Sequence, residues 1–336
     1  MDSAAVRFHQ FGDPSRVLQL DKIPVAKPGT GQLLLRLLAS PIHPSDLGTV
    51  FGSYGELPEL PAIAGREGIG EIVEKGPGTD SFEIGQRVLF PTGPGAWTEF
   101  RLLPSAEVLP VPEQAPTLQA AMAAINPPTA WLLLENFVEL EPGDWIIQNA
   151  ANSAVGHSII QLCHARGIRS INLVRDPRWF APLREIGADE VLLADDPDLK
   201  ERVAAVTDGK GARLGLNSVG GPSVISLIQS LGNRGTLVTF GGMSSEPIRF
   251  PTRYLIFNDV RLVGFWLHHW KKTTPKAKQD ALMEKILNRI AEGQLHAPIE
   301  KTFPLTSFSQ AIQQASTGKR SGKILFDQST SGNSGN

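Results

Sequence analysis

The spacing of apolar and polar positions changes near residue 121 of this 336-residue chain. Before that point the apolar runs are short and are interrupted by glycine and proline. Leu33 to Ala39, Gly68 to Val73 and Arg87 to Phe90 each read as a strand, with Gly-Pro-Gly and Glu-Ile-Gly turns between them. Residues 4 to 120 are therefore expected to form an antiparallel, partly barrel-like β domain with little helix. Beyond it, strand patterns at 144–149, 169–174, 190–193, 212–217, 235–240 and 260–264 alternate with helical ones at 154–166, 179–187, 198–207 and 221–231. That alternation is the mark of a parallel sheet covered by helices. After Trp270 comes a lysine-rich helix, about 275–293. Ile299 to Phe303, a helix from Ser307 to Ala315 and Lys323 to Phe326 are then expected to rejoin the first domain. The small, polar tail Ser329 to Asn336 is expected to be disordered.

Composition changes this picture only by exclusion. The hydrophobic share of 41% and charged share of 20% are ordinary for a globular protein. With 32 basic against 34 acidic residues, the net charge of -2 argues against a nucleic-acid surface. No apolar run has membrane-spanning length, and Met1-Asp2-Ser3 opens no secretory signal. A soluble, cytoplasmic, bacterial-type protein is the expectation. The single cysteine, Cys163, allows no internal disulfide and no cysteine cluster for zinc, and reads as a core thiol.

The most informative segment is Ile146 to Gly156. An apolar strand runs into a turn of small residues and then into a helix carrying Ile159, Ile160 and Leu162. This order places a diphosphate at a helix amino terminus and predicts a Rossmann-type dinucleotide domain over 125–265. Residues 1–124 and 266–336 would then form the substrate domain. The turn lacks the three-glycine fingerprint. Gly156 alone stands where helix and strand must approach closely, while Asn152, Ser153, Ala154 and Val155 complete the candidate phosphate turn. A second glycine-containing strand end, Gly241-Gly242-Met243, supports the same site. The second strand ends at Val174-Arg175-Asp176. An acid there binds the ribose hydroxyls of NAD, whereas an arginine pairs with the 2′-phosphate of NADP. Arg175 comes first after the apolar strand and is favoured, with Arg178 as a second candidate. A plain strand cap is the bland alternative.

Candidates for chemistry are fewer. His43, Asp46 and Glu67 do not make a strong zinc pattern, and neither Arg66 nor Asn126 is a natural ligand. His268 and His269 are adjacent and do not naturally face one metal. Reduction of a conjugated carbon–carbon double bond needs no metal. It needs a donor to the carbonyl oxygen and a proton for the adjacent carbon. Only Tyr54 and Tyr254 are tyrosines. Tyr54 sits in an exposed-looking Gly52-Ser53-Tyr54-Gly55 loop with little packing reason, and Tyr254 reads as a packed residue. Phe265, Trp266 and Leu267 follow the last parallel strand and line either a ligand pocket or an apolar seam.

Several segments together resemble the medium-chain dehydrogenase/reductase superfamily, and within it the mitochondrial-type 2-enoyl thioester reductases and their bacterial relatives. They are Pro41-Ile42-His43-Pro44-Ser45-Asp46, Gly52 to Pro58, Asn126-Pro127-Pro128-Thr129-Ala130, Gln148 to Gly156, Asn172 to Asp176 and Gly264 to Leu267. The resemblance implies a GroES-like substrate domain beside the Rossmann domain. It implies zinc-free, NADPH-dependent reduction of trans-2-enoyl thioesters carried by CoA or acyl carrier protein, usually by a homodimer. It places Tyr54 at the catalytic tyrosine, Thr129 by the nicotinamide and Arg175 at the 2′-phosphate. Phe265 and Trp266 would bound the acyl pocket. Phe265, Trp266, Leu267 and Lys323 join the candidate cofactor contacts. The positions of the superfamily's zinc ligands fall near His43, Arg66 and Asn126. His43 stands where close relatives usually carry asparagine, and Pro177-Arg178 reverses their common Arg-Pro order. A quinone or small-enone reductase of the same superfamily is the nearest alternative.

Overall fold

The computed structural model describes residues 1–318 and 320–329, so the expectation of a disordered tail falls mostly outside the described residues. The chain forms two compact units, 1–125 with 280–336, and 126–279.

The first unit is built from two sheets. Strands β1 (Asp2–Phe8) and β2 (Leu18–Pro24) form an antiparallel hairpin, and β4 (Ala62–Ile63) pairs on the other side of β1. The larger sheet starts from β3 (Gln32–Pro41), β5 (Ile69–Lys75), β6 (Arg87–Leu89), β7 (Phe100–Pro104) and β8 (Leu109–Pro110). Leu33, Leu35 and Leu37 on β3 meet Ile72, Val88, Trp97 and Phe326 in one apolar cluster. Leu34 and Leu38 on the other face are buried too, so β3 is covered on both sides along most of its length.

The second unit is a six-stranded parallel sheet. Its strands are β9 (Trp145–Gln148), β10 (Arg169–Val174), β11 (Glu190–Leu193), β12 (Ala212–Asn217), β13 (Leu231–Thr239) and β14 (Arg261–Gly264). Their order across the sheet is β11-β10-β9-β12-β13-β14, with every neighbouring pair parallel. Ile146, Ile147, Ile171 and Leu214 are fully buried. β-Branched and aliphatic side chains suit a strand covered on both faces, which is why these short runs fold as central strands. The order reverses between β9 and β12, and open α/β sheets bind ligands at the carboxyl ends of strands at such a point.

Strands β15 (Ile299–Phe303) and β16 (Lys323–Asp327) return to the larger sheet of the first unit, with β16 antiparallel to β3. The α/β class, with one parallel sheet and one mainly antiparallel β domain, is therefore as expected. Little helix was expected in the first unit, and one short helix was not singled out. Pro44–Phe51 is a helix. Gly48, Thr49 and Val50 are poor helix formers, which hides it from propensity. Proline at the first helical position and the Asp46 carboxylate, which accepts from the His43 amide at 2.7 Å, initiate it instead. Gly52, with φ at +84°, stops it in a left-handed cap.

Candidate functional site

The dinucleotide end of the second unit is built around the helix Ala154–Arg166. Ser153 caps it, its hydroxyl accepting from the Gly156 amide at 3.1 Å. The first-turn amides of Ala154 and Val155 have no acceptor within the helix, and the helix dipole adds to their pull on an anion. Gly156 is required by space. A Cβ there would lie 2.3 Å from the Ala151 carbonyl oxygen. Ala150 bends the turn with φ at +48°, a conformation that glycine usually takes.

A polar ladder supports this turn from below. Asn149 donates to Asn217 Oδ1 at 2.8 Å and accepts from the Ser218 amide at 2.8 Å. Asn217 Oδ1 also accepts from the Gly220 amide, and its Nδ2 donates to Thr239. The carboxyl ends of β9, β12 and β13 are thereby tied side by side. Gln148 donates to Asn172 Oδ1 at 2.7 Å and to the Gly156 carbonyl at 3.1 Å, fixing the helix to β9 and β10. Buried amides of this kind hold their value because each finds partners. Sequence reading missed the ladder. Its signal was asparagine and glutamine at the ends of otherwise apolar strands.

Arg175 and Arg178 differ in freedom. Asp176 accepts from the Arg178 amide at 3.0 Å and pairs with its guanidinium at 3.2 Å. Arg178 also lies over the Trp179 ring. Arg175 is exposed and has no ion pair among the described residues. Asp176 is thus engaged locally, and Arg175 is not. Gly241 sits against the Ser218 carbonyl, where a Cβ would approach to 2.7 Å, and Gly242 and Met243 are exposed. Phe265 follows β14, its amide bonded to the Thr239 carbonyl and its ring edge-on to Phe137 at 5.9 Å. Trp266 lies 5.0 Å from His268, and Leu267 opens the helix Leu267–Thr273. Thr129 is buried in the helix Asn126–Glu135. Tyr254 packs against the apolar core of this unit. Cys163 is fully buried, and burial pushes its thiol up. It is a core thiol.

The residues fit a dinucleotide phosphate. They present a helix amino terminus, a turn with no room for a Cβ and an uncommitted arginine after the second strand.

The first unit carries Tyr54 two residues beyond the Gly52 cap, half-buried, with the Arg66 guanidinium 4.7 Å from its ring centroid. Beside them runs a buried polar chain. His43 Nε2 lies 2.5 Å from Glu67 Oε1, and Lys323 Nζ lies 3.0 Å from His43 Nδ1. Lys323 also donates to the Ile42 carbonyl, and Glu67 Oε2 accepts from the Ala124 amide. Burial, reinforced by Lys323, depresses the His43 pKa to about 3. The ring is therefore neutral. It accepts at Nδ1 from the ammonium and donates from Nε2 to the carboxylate. Burial lowers Lys323 to about 8, against the pull of Glu67 and Asp46. Lys323 lies in the first unit, where the strand pattern places it, and only its contact with His43 was not foreseen.

Zinc does not fit here. Both ring nitrogens of His43 are committed, and Arg66 offers no lone pair. Among the described residues no group of three or more His, Cys, Asp or Glu side chains is placed to hold a metal ion. No helix among them is long and apolar enough to cross a membrane.

Comparison with known proteins agrees with both units. Residues 29–113 match the alcohol dehydrogenase GroES-like domain, and residues 154–282 match the zinc-binding dehydrogenase family. The mitochondrial enoyl-[acyl-carrier-protein] reductase of Xenopus tropicalis is 37% identical over 92% of this chain and 91% of its own length. That of Caenorhabditis elegans is 38% identical over 96% and 95%. Among solved structures, the mitochondrial 2-enoyl thioester reductase heterodimer from Candida tropicalis has a TM-score of 0.88 at 28% identity, covering 97% of this chain and all of that one (100%). A chain from Bacillus thuringiensis assigned as an NADPH:quinone reductase has a TM-score of 0.90 at 29% identity, covering 97% and 99%. With its strand order, its phosphate turn and these relatives, the chain belongs to the medium-chain dehydrogenase/reductase superfamily, as an oxidoreductase with an NADP(H)-binding Rossmann unit.

Proposed function

We propose that the protein reduces the carbon–carbon double bond of trans-2-enoyl thioesters, carried by CoA or acyl carrier protein, with NADPH and without zinc. The observation that carries this reading is Tyr54, held just past a helix cap in a chain with 36–38% identity to several mitochondrial enoyl reductases. A solved relative in complex with NADP and crotonyl-CoA, 28% identical with a TM-score of 0.88, supports the substrate class.

Bound NADPH supplies a hydride to the β-carbon. The Ser153 to Gly156 turn holds the diphosphate, and Arg175 pairs with the 2′-phosphate. Gly241, Gly242 and Met243 border the cofactor, with Thr129 on the nicotinamide side. The Tyr54 hydroxyl donates to the thioester carbonyl and helps deliver the proton to the α-carbon. Phe265, Trp266 and Leu267 give the acyl chain an apolar wall.

Tyr54→Phe should lower kcat on crotonyl-CoA by about 10²–10⁴-fold, the range for loss of one acid–base group, with NADPH affinity nearly unchanged. An unaltered kcat would remove Tyr54 from the mechanism.

Quinone or small-enone reduction is the second reading, favoured by the likeness to the Bacillus thuringiensis chain. A panel of enoyl-CoAs, enones and benzoquinones assayed with NADPH separates the two. A higher kcat/KM on quinones than on every enoyl-CoA decides for the second.

A further inference from the structure

Arg66 is a buried cation without a hydrogen-bond acceptor. It is 8% exposed, yet none of its guanidinium N–H groups has an acceptor among the described residues. Its nearest recorded side-chain partner is the Tyr54 ring, at 4.7 Å. Its guanidinium carries five donors, and none of its nitrogens is among the fully buried unpartnered side-chain atoms, so they stay open to solvent or to a ligand. The cation therefore presents open donors directly beside Tyr54.

The backbone holds Arg66 firmly. Its carbonyl accepts from the Gly93 amide at 2.9 Å. On the adjoining residues, the Gly65 carbonyl accepts from Ala96 at 3.2 Å and that of Ala64 from Trp97 at 2.9 Å. Gly65, with φ at +83°, lies flat on the Trp97 indole, where a Cβ would come within 2.2 Å of Cδ1. The cation is therefore preorganised, as a group that stabilises developing charge must be. Its charge acts on the neighbouring polar chain, helping to lower His43 and opposing the burial that raises Asp46.

We infer that Arg66 is a second catalytic donor beside Tyr54, giving an N–H bond to the substrate's carbonyl oxygen as negative charge develops on it. The inference rests on the proposed reduction of a conjugated carbonyl. Once hydride has reached the β-carbon, the π electrons of the double bond form the α-carbon–carbonyl double bond, and the carbonyl pair moves onto oxygen as an enolate. Arg66 and Tyr54 stabilise that oxygen. A proton then joins the α-carbon, the enolate pair re-forms the C=O bond, and NADPH has become NADP. The proton transfer is left to Tyr54.

The test uses the full-length protein with NADPH and crotonyl-CoA. Arg66→Ala and Arg66→Gln should each lower kcat by about 10²–10³-fold, the cost of removing one oxyanion donor, with KM for NADPH within twofold of wild type. Guanidinium chloride at tens of millimolar should restore part of the Arg66→Ala activity in a saturable way, and equal potassium chloride should not. Thermal unfolding of both variants checks that they remain folded, and a purely packing role would show no rescue. A kcat within threefold of wild type, or a loss that guanidinium leaves untouched, overturns the inference. The same variants are assayed on benzoquinone. If the wild type turns over quinone but no enoyl thioester, the proposed substrate is wrong, and Arg66 is then judged by the quinone arm, where charge also collects on a carbonyl oxygen.

Discussion

His43 shows how one side chain can be set by its neighbours alone. The ring is neutral because burial and Lys323 depress its pKa to about 3. In the unfolded chain a histidine titrates near 6.5. Between those values the unfolded state binds more protons, so stability is full above about 6.5 and is lost as pH falls toward 3. One such proton corresponds to about 1.4 kcal/mol per pH unit in that window. His43→Asn should therefore flatten the slope of unfolding free energy against pH between 4 and 6, as read from urea titrations. An unchanged slope would show that His43 is not the group responsible. Arg175 is the complementary case, exposed and unpaired while Asp176 holds Arg178. Arg175→Ala should raise KM for NADPH about 10–100-fold, the worth of hydrogen bonds to a charged phosphate, and leave KM for NADH nearly unaltered. Equal changes for both cofactors would discard the clamp.

At the scale of elements, periodicity was a good guide where it was long. The helix Ala154–Arg166 and strands Arg169–Val174, Glu190–Leu193, Ala212–Asn217 and Ile299–Phe303 all fall where the pattern places them. Caps and burial on both faces mark their ends clearly. Helices expected at 179–187 and 221–231 begin as 3₁₀ turns at Pro177–Trp179 and Gly221–Ser223, because proline and glycine disturb the first turn. The helix Pro44–Phe51 escaped notice because its start depends on one side-chain cap and not on its composition. Gly156 is the position where an element junction leaves no latitude. Gly156→Val should cost about 1–3 kcal/mol by overpacking the Ala151 carbonyl, and should weaken NADPH binding at the same turn. Urea unfolding with fluorescence titration of NADPH reads both, and wild-type values in both would contradict the close-packing argument.

For the molecule as a whole, the charge of -2 and an ordinary apolar share leave association open, and the free edge at β14 bears on it. The segment leading to that edge exposes Ile256 at 69% and Phe257 at 80%, with Met243, Ile248 and Leu255 nearby in sequence. Unpaired strand edges and apolar patches of this kind are usually covered. Association of two copies through this edge is the expected outcome. Light scattering at micromolar concentration should give twice the 36.3 kDa chain mass, and Phe257→Lys should shift the population toward monomer. A wild type that is monomeric across that range would reject it.

Much was legible from the amino-acid order because it is local. The βα alternation, the small-residue turn before a helix, and arginine at the end of the second strand are set by neighbours a few residues apart, so periodicity and capping chemistry determine them. The pairing of Arg66 with Tyr54, the chain from Lys323 through His43 to Glu67, and the Asn149–Asn217 ladder join residues 12, 280, 24 and 68 positions apart. Only tertiary packing decides those contacts, because desolvation and hydrogen-bond geometry act after the chain has closed on itself.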